Sequence, residues 1–449
     1  MTYPLQRSDR GHISTLPILS INFIGALGFS IVLPFMVFLV TRWGGNALVF
    51  GAIGASYSFF QLIGAPILGR WSDRYGRRRV LLLSQLGTMF SWVLFLVAFA
   101  LPVRVLLDTD SPVLGQLTLT LPLVLLFAAR SLDGLTGGNV SVANAYLADI
   151  SSDEDRSANF GRMAVSSNIG FVAGPALAGL LGATVYGELL PVAAALVISI
   201  GASALIAIGL REIPQSTTTA VGEDSEDQNH LGRDNACAVF GQEARSPEAE
   251  KSDWRAVLEI SRIPTLLTIN FLVMLGFSFF YIAFPIHAAG ELEWSVSETG
   301  VFFAVLSLVM VVVQGPVLAA VSTRIGESTL MSIGTILLAS AFALFWFPDT
   351  AVVYLAAVTL AMGNGLLWPT FMAVLAKRAD GPAQGGVQGL AGSVGAAASI
   401  IGLLAGGVLY TSFGEWVFIL AAVVIGSVLV FAHRGQVCSP ADGEVKPAL

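Results

Sequence analysis

Charge is what this chain of 449 residues most lacks: Asp, Glu, Lys and Arg together make up only 12% of it. Soluble globular domains run nearer ~25%, so composition alone argues against a soluble fold. Cysteine is scarcer still. The two present, Cys237 and Cys438, fall in polar segments and offer neither a disulfide framework nor a metal-ligand spacing. HExxH, the Gly-x-Ser-Asp protease turn, the P-loop and Cys/His clusters are all missing from the sequence. No segment outside the apolar runs is large enough for a nucleotide-binding domain, which excludes an ATP-driven pump. An enzyme is not expected, nor a cofactor or a metal. The net charge of −7 carries no nucleic-acid signal, because the acids sit mainly in loops.

What the chain has in abundance is apolar length. It is 55% hydrophobic, contains 47 glycines and has a mean hydropathy of +0.77. A bilayer core about 30 Å thick needs roughly 20 apolar residues per helical span. Runs of that kind lie at 16–40, 47–69, 80–101, 120–147, 160–183 and 189–211, and again at 263–288, 297–319, 329–347, 351–376, 387–411 and 415–433. The first run is too long for the apolar core of a signal peptide and lacks a clear small-residue cleavage site, so it reads as a retained first helix. The expected fold is an all-α membrane protein of twelve transmembrane helices in two pseudo-symmetric six-helix bundles. Residues 1–211 form the first bundle, 212–262 a linker, 263–433 the second bundle and 434–449 a tail. The linker is rich in acids (Glu223, Asp224, Glu226, Asp227) and reads as solvated. A short interfacial helix over Asp253 to Arg262 is the alternative for its last part.

The basic residues set the orientation. All 23 Lys and Arg fall on one side of the predicted membrane except Arg42 and Arg104, in loops on the other side, and Arg130, within a span. That bias places both termini and the linker in the cytoplasm, in the inner (plasma) membrane of the cell. The halves also echo each other. Ile21-Asn22-Phe23 and Leu27-Gly28-Phe29-Ser30 recur as Ile269-Asn270-Phe271 and Leu275-Gly276-Phe277-Ser278. Pro66 to Gly76 aligns with Pro316 to Gly326, and Gly170-x-x-Ala173-Gly174 with Gly402-x-x-Ala405-Gly406. A duplicated six-helix half is a transporter architecture, with its site near the midplane between the halves.

The most charged stretch is Gly69 to Arg79, GRWSDRYGRRR, between two apolar runs. With twelve spans and two halves, this loop resembles the signature between helices 2 and 3 of the major facilitator superfamily, at Gly69, Asp73, Arg74, Gly76, Arg77 and Arg78. Helix 4 carries Arg130-Ser-Leu-Asp133-Gly134-Leu-Thr-Gly137-Gly138-Asn139, and the next junction Ala145-Tyr146-Leu147-Ala148-Asp149-Ile150. Helix 5 carries Gly170-x-x-x-Gly174-Pro175-x-x-Ala178-Gly179. Together these are similar to the drug:proton antiporter, tetracycline-exporter-like branch. One departure stands in helix 1, where an amide, Asn22, occupies the place of that branch's acid. The resemblance implies that the Gly69 loop is a cytoplasmic gate, in which Asp73 pairs with arginines and with the start of helix 11 to favour an outward-open state. In the second half the echo keeps Arg324 and Gly326 but has Thr323 for the acid and Glu327 for a base, so the latch is expected to be lopsided.

Asp133 is the one carboxylate placed well inside a span, and Arg130 the one intramembrane base. At spacing i, i+3 they share a helix face and can pair, and intramembrane charges are costly enough to need a reason. Three readings stand open: a structural ion pair, a proton-coupling site, or charges facing bulk water. Gly170, Gly174, Pro175 and Gly179 read either as close helix packing or as a hinge. Helix 11 has Gly407 where helix 5 has its proline. By resemblance, helices 1, 4, 7 and 10 line a substrate cavity, offering Asn22, Asp133, Asn139, Asn270, Tyr281, Asn364 and Trp368. Tyr57, Gln61, Asn168 and Gln314 are candidates from neighbouring helices. Such a mixed polar and aromatic cavity suits amphipathic organic solutes better than multiply charged phosphates. His287 reads as interfacial.

The function expected is secondary transport of a small organic solute by alternating access, as a proton-coupled exporter of drugs or metabolites. A facilitator, a solute:proton symporter, and a transporter-like receptor or scaffold without transport remain the alternatives. Expected partners are the small-molecule substrate, protons and the lipid bilayer, with no nucleic acid and a monomeric working unit.

Overall fold

The structure, a computed structural model, describes residues 14–32, 34–111, 115–137, 139–151, 155–212, 258–378 and 384–434. Most of the linker and the tail, with both cysteines, lie outside the described residues, as does half of the stretch read as an interfacial helix. The elements of the first half are α1 (Leu16–Ser30), α2 (Met36–Arg42), α3 (Ala47–Tyr75), α4 (Arg77–Ala100), β1 (Val105–Ser111), β2 (Gly115–Thr120), α5 (Leu121–Thr136), α6 (Asn139–Ile150), α7 (Arg156–Gly182) and α8 (Leu189–Gly209). The second half contains α9 (Ile263–Gly290), α10 (Val296–Val312), a π-helical turn (Val313–Val317), α11 (Leu318–Ser322), α12 (Glu327–Leu344), α13 (Thr350–Arg378), α14 (Gln384–Phe413) and α15 (Trp416–Arg434).

Each of the twelve apolar runs folds as a helical column. Among the described residues, nine of these columns are single stretches long and apolar enough to cross a membrane. Of the other three, the first and the fourth are interrupted, for local reasons. The first column breaks between Ser30 and Met36 around Pro34, which has no N–H and cannot continue a helix. The fourth breaks after Thr136, where Gly134 and Gly137 weaken the helix. The twelfth has its apolar stretch over Trp416–Phe431. In the eighth, Pro316 falls inside the π-helical turn, which keeps the column continuous.

Caps place the turns. Asn46 accepts from Val49 N–H at 3.0 Å to start α3, and Ser295 with Glu298 forms a reciprocal capping box on α10. Gly76, between α3 and α4, has φ +100°, and the Glu212 carboxylate lies where a Cβ would stand. One element departs from the all-helical expectation: β1 and β2 form an antiparallel hairpin at the end of the molecule opposite the Gly69–Arg79 turn. Thr120 Oγ1 anchors it by donating to Trp43 O at 2.9 Å. These two ends are called the hairpin end and the motif end below.

The two halves meet along two seams at the hairpin end. In one, α3 crosses α14: a Cβ on Gly51 would lie 2.5 Å from Leu403 O, and one on Gly407 2.6 Å from Ala47 O. In the other, α7 crosses α10, where a Cβ on Gly179 would lie 2.6 Å from the Cα of Gly300. Only glycine allows backbones this close. At the motif end Gly69 has nothing within 4 Å of the Cβ position. Within each half the same contact recurs: α1 lies along α7, and α9 along α14.

Candidate functional site

A cavity of about 300 Å³ lies inside the first half, lined by residues from α1, α3, α4, α5, α6, α7 and α8. It separates two packed cores. One, towards the hairpin end, includes Phe35, Phe50, Trp92 and Leu126; the other, towards the motif end, includes Ile18, Leu81, Tyr146 and Ile206. Between them the helices present polar side chains, because a gap in apolar packing is where polar groups and water are tolerated.

Arg130 and Asp133 sit in this layer on α5, 3% and 7% exposed. Arg130 Nη1 donates to Asp133 Oδ2 at 3.0 Å. The pair is buried, which removes the reading in which these charges face bulk water. The guanidinium also stands 4.5 Å from the Tyr57 ring centroid and 5.9 Å from that of Phe29, within cation–π range. Its Nε has no partner. Close approach of α3 and α5 makes this geometry, since a Cβ on Gly134 would strike the Tyr57 carbonyl. Gln61 Nε2 donates to Tyr57 Oη at 3.3 Å and to Gly137 O at 3.2 Å. Thr88 Oγ1 of α4 lies 3.3 Å from Thr136 Oγ1, one hydroxyl donating to the other.

Of the residues singled out from sequence, Asn22, Tyr57, Gln61 and Asp133 line this cavity together. Asn22 is at its wall, with its amide nitrogen donating to Met163 O (2.9 Å) and Ser167 Oγ (2.5 Å) of α7. Its repeat partner, Asn270 of α9, donates to Ala391 O of α14 at 2.7 Å. The two asparagines therefore brace equivalent helix pairs in the two halves. Tyr281 packs between Phe277 and Phe280. Gln314 belongs to the π-helical turn. Asn364 Nδ2 donates to Met310 Sδ at 3.4 Å, and Trp368 stacks on Phe371. None of these C-terminal candidates lines the cavity. The side chains of Asn139 and Asn168 lie outside the described residues.

Gln85 and Ser199 also line the cavity, Gln85 Nε2 donating to Ser199 Oγ at 2.8 Å. Sequence reasoning passed over them. The available signal was the stripe Ser84, Gln85, Thr88, Ser91 on an otherwise apolar helix. His287, read as interfacial, is fully buried instead: the end of α9 is covered by the turn leading into α15, which brings Glu415 within 3.8 Å of its ring.

At the motif end Arg77 pairs with Asp73 and, at 3.0 Å, with Asp149 at the end of α6. Arg78 donates to Ala207 O of α8, and Arg74 lies 5.5 Å from the Tyr75 ring. Along α7, a Cβ on Gly170 would lie 2.5 Å from Phe23 O, and one on Gly174 would overlap Ser30 Oγ, both on α1. Pro175 lies inside the uninterrupted α7.

The profile of the Major Facilitator Superfamily matches residues 18–267 and 266–444, one match for each half. The chain belongs to the Major Facilitator Superfamily. It is thus an integral, multi-pass secondary transporter with a small-molecule substrate, and its relatives place it beside the tetracycline efflux proteins. The class E tetracycline resistance protein of Escherichia coli is 27% identical over 435 residues, covering 94% of this chain and 96% of that protein. Among solved structures, a D-xylose–proton symporter superposes with a TM-score of 0.70 at 13% identity, over 93% of this chain and 96% of the symporter. The human organic anion transporter MFSD10 gives a TM-score of 0.62 at 20% identity, over 95% of this chain and all of that one. Both structures speak to the fold.

Proposed function

We propose that this superfamily member exports an amphipathic organic solute in exchange for protons, with the Arg130–Asp133 pair carrying the coupling proton. The observation that carries the reading is a buried acid and base, 3.0 Å apart, of which the acid lines a cavity. A carboxylate held in place by one guanidinium binds a proton when that contact loosens, and hydration of the cavity is what loosens it. The export direction rests on the likeness to tetracycline resistance proteins. The aromatic rings of Phe29, Tyr57, Trp92 and Phe171 together with Gln61 and Gln85 suit a solute with apolar faces and a few polar groups.

The moving units are the halves 1–211 and 263–433, joined by the linker 212–262 and followed by the tail 434–449. The basic residues assign the motif end to the cytoplasm, so the protein as described is closed towards the outside along its glycine seams. In the opposite state the motif ends approach, with the free space at Gly69 admitting the start of α14 while the charged groups around Asp73 act as the latch. Gly170, Gly174 and Pro175 let α7 bend against α1 as the halves rock. The working unit is a monomer in the inner (plasma) membrane.

Proteoliposomes with an imposed pH gradient test the coupling. Asp133→Asn is expected to abolish gradient-driven accumulation while leaving solute exchange in the absence of a gradient. Gradient-driven accumulation by that variant at the wild-type rate would instead assign the pair a structural role.

A further inference from the structure

The hairpin end of the second half holds titratable groups that the Arg130–Asp133 site does not use. His287, near the C-terminus of α9, is 0% exposed and neither ring nitrogen has a hydrogen-bond partner. Its Nδ1 stands 3.8 Å from Glu415 Oε1, in the turn between α14 and α15. The Phe418 ring meets the imidazole edge-on at 5.4 Å. Glu291 follows at the C-terminus of α9, where the helix dipole disfavours negative charge. Burial, and then the Glu291 carboxylate, push the Glu415 carboxyl above its ordinary range. Tyr410 of α14 feels both acids. The other elements packed on α9 direct their titratable groups elsewhere: Arg42 of α2 pairs with Glu188, and Tyr354 of α13 packs on Trp294.

This cluster borders the seam between the halves on two helices at once. On α9, Ile282 lies 3.8 Å from the Cβ position of Gly54, and Ile286 packs into the same core as Phe50 of α3. On α14, Gly407 presses on Ala47 one turn before Tyr410. Whatever draws the end of α9 towards the α14–α15 turn therefore acts on the residues that close the hairpin end.

We propose that His287 and Glu415 form a proton-binding site, entered through the half-buried Glu415, whose occupancy biases closure of the hairpin-end seam. One proton passes from water to the pair, and no other reactant is needed. The shared proton gives Nδ1 and the carboxylate a hydrogen bond, which shortens the gap; its loss leaves an unpartnered ring beside the acid. The proton belongs to the pair. This second proton site goes beyond the role given to Asp133 and does not depend on it.

The test uses spin labels on opposite halves at the hairpin end, Val185→Cys and Ser412→Cys, with Cys237→Ser and Cys438→Ser, in lipid nanodiscs. Val185 is 96% exposed. Pulsed dipolar spectroscopy, run as a titration from about pH 8 down to about pH 4, is expected to show the label distance changing with a single midpoint that belongs to the pair. His287→Gln is expected to abolish the change, and Glu415→Gln to move its midpoint by about one pH unit or more. Asp133→Asn leaves the midpoint in place, so this test and that of the proposed function fail separately. A distance independent of pH in the parent protein would overturn the site. So would an unchanged midpoint in Glu415→Gln, a substitution on a half-exposed turn that decides the matter even if His287→Gln does not fold.

Discussion

The two halves bury their interiors in opposite ways. The second half has one dominant core, in which Phe280, Phe284, Phe302, Phe342 and Phe345 form an unbroken ring cluster, with Phe284 and Phe302 stacked at 4.1 Å, and a small apolar satellite of Val313, Leu330 and Leu366. The first half has two cores with a polar layer between them, and that layer holds the buried ion pair. A duplicated architecture has thus divided its labour: one half packs densely, while the other leaves room for charge. The difference extends to the motif end. The pair Arg77–Asp149 of the first half is answered in the second by Glu327–Lys377 at 2.5 Å, with the signs exchanged. With Glu327 standing where the first half has Arg77, the base of the pair comes instead from Lys377 of α13.

Breaking the polar layer should have the largest effect. Arg130→Ala leaves the Asp133 carboxylate buried without its partner, and loss of one member of such a pair costs about 3–5 kcal/mol. Fluorescence-detected thermal unfolding in detergent should show the drop, and Arg130→Ala with Asp133→Ala should recover most of it. Breaking the dense half comes next. Phe284→Ala should cost roughly 2–4 kcal/mol, below the upper values for aromatic truncation because packing, not exclusion of water, holds helices together in lipid. Tyr57→Ala, at the cavity wall, should cost less stability than Phe284→Ala but more transport activity. The reverse ranking would dissolve the contrast between the halves.

The seam between them offers a third test. Gly179→Val places side-chain atoms where the Gly300 backbone lies, so the hairpin end should open. A cysteine introduced at Val296, buried at the same seam beside Gly182, should then react faster with a membrane-impermeant maleimide than without the Gly179 substitution. The smallest effect is expected at the Glu327–Lys377 pair. Exposed pairs contribute about 0–1 kcal/mol, so Glu327→Lys alone should lower stability by no more than that, and adding Lys377→Glu should restore it. A loss that the double exchange does not restore would assign these residues a role other than pairing with each other.

Much of this was legible in the residues themselves. Arg130 and Asp133 announced their pairing through spacing and through the scarcity of charge around them. Asn22 and Asn270 were legible as a repeated pair, but their work as braces was not, because it depends on which way α1 and α9 turn their amides. Gln85 and Ser199 escaped notice because a single amide in an apolar run has no sign of its direction. The break in the fourth column was signalled by Gly134 and Gly137, whereas the β-hairpin carried only an ordinary loop composition.

By itself the sequence determined the number of columns, the charge-poor interior, the clustering of basic residues at one set of ends and the family signature. These follow from composition and short-range spacing, which a chain carries whether folded or not. Only the tertiary structure decided that Tyr57, Gln61, Gln85 and Asp133 share one cavity, that glycine seams close the hairpin end, and that His287 meets Glu415. Those outcomes depend on how each helix is rotated about its axis. Packing against its neighbours sets that rotation, and in lipid it responds to fit between surfaces, since no difference in hydrophobicity favours one apolar face over another.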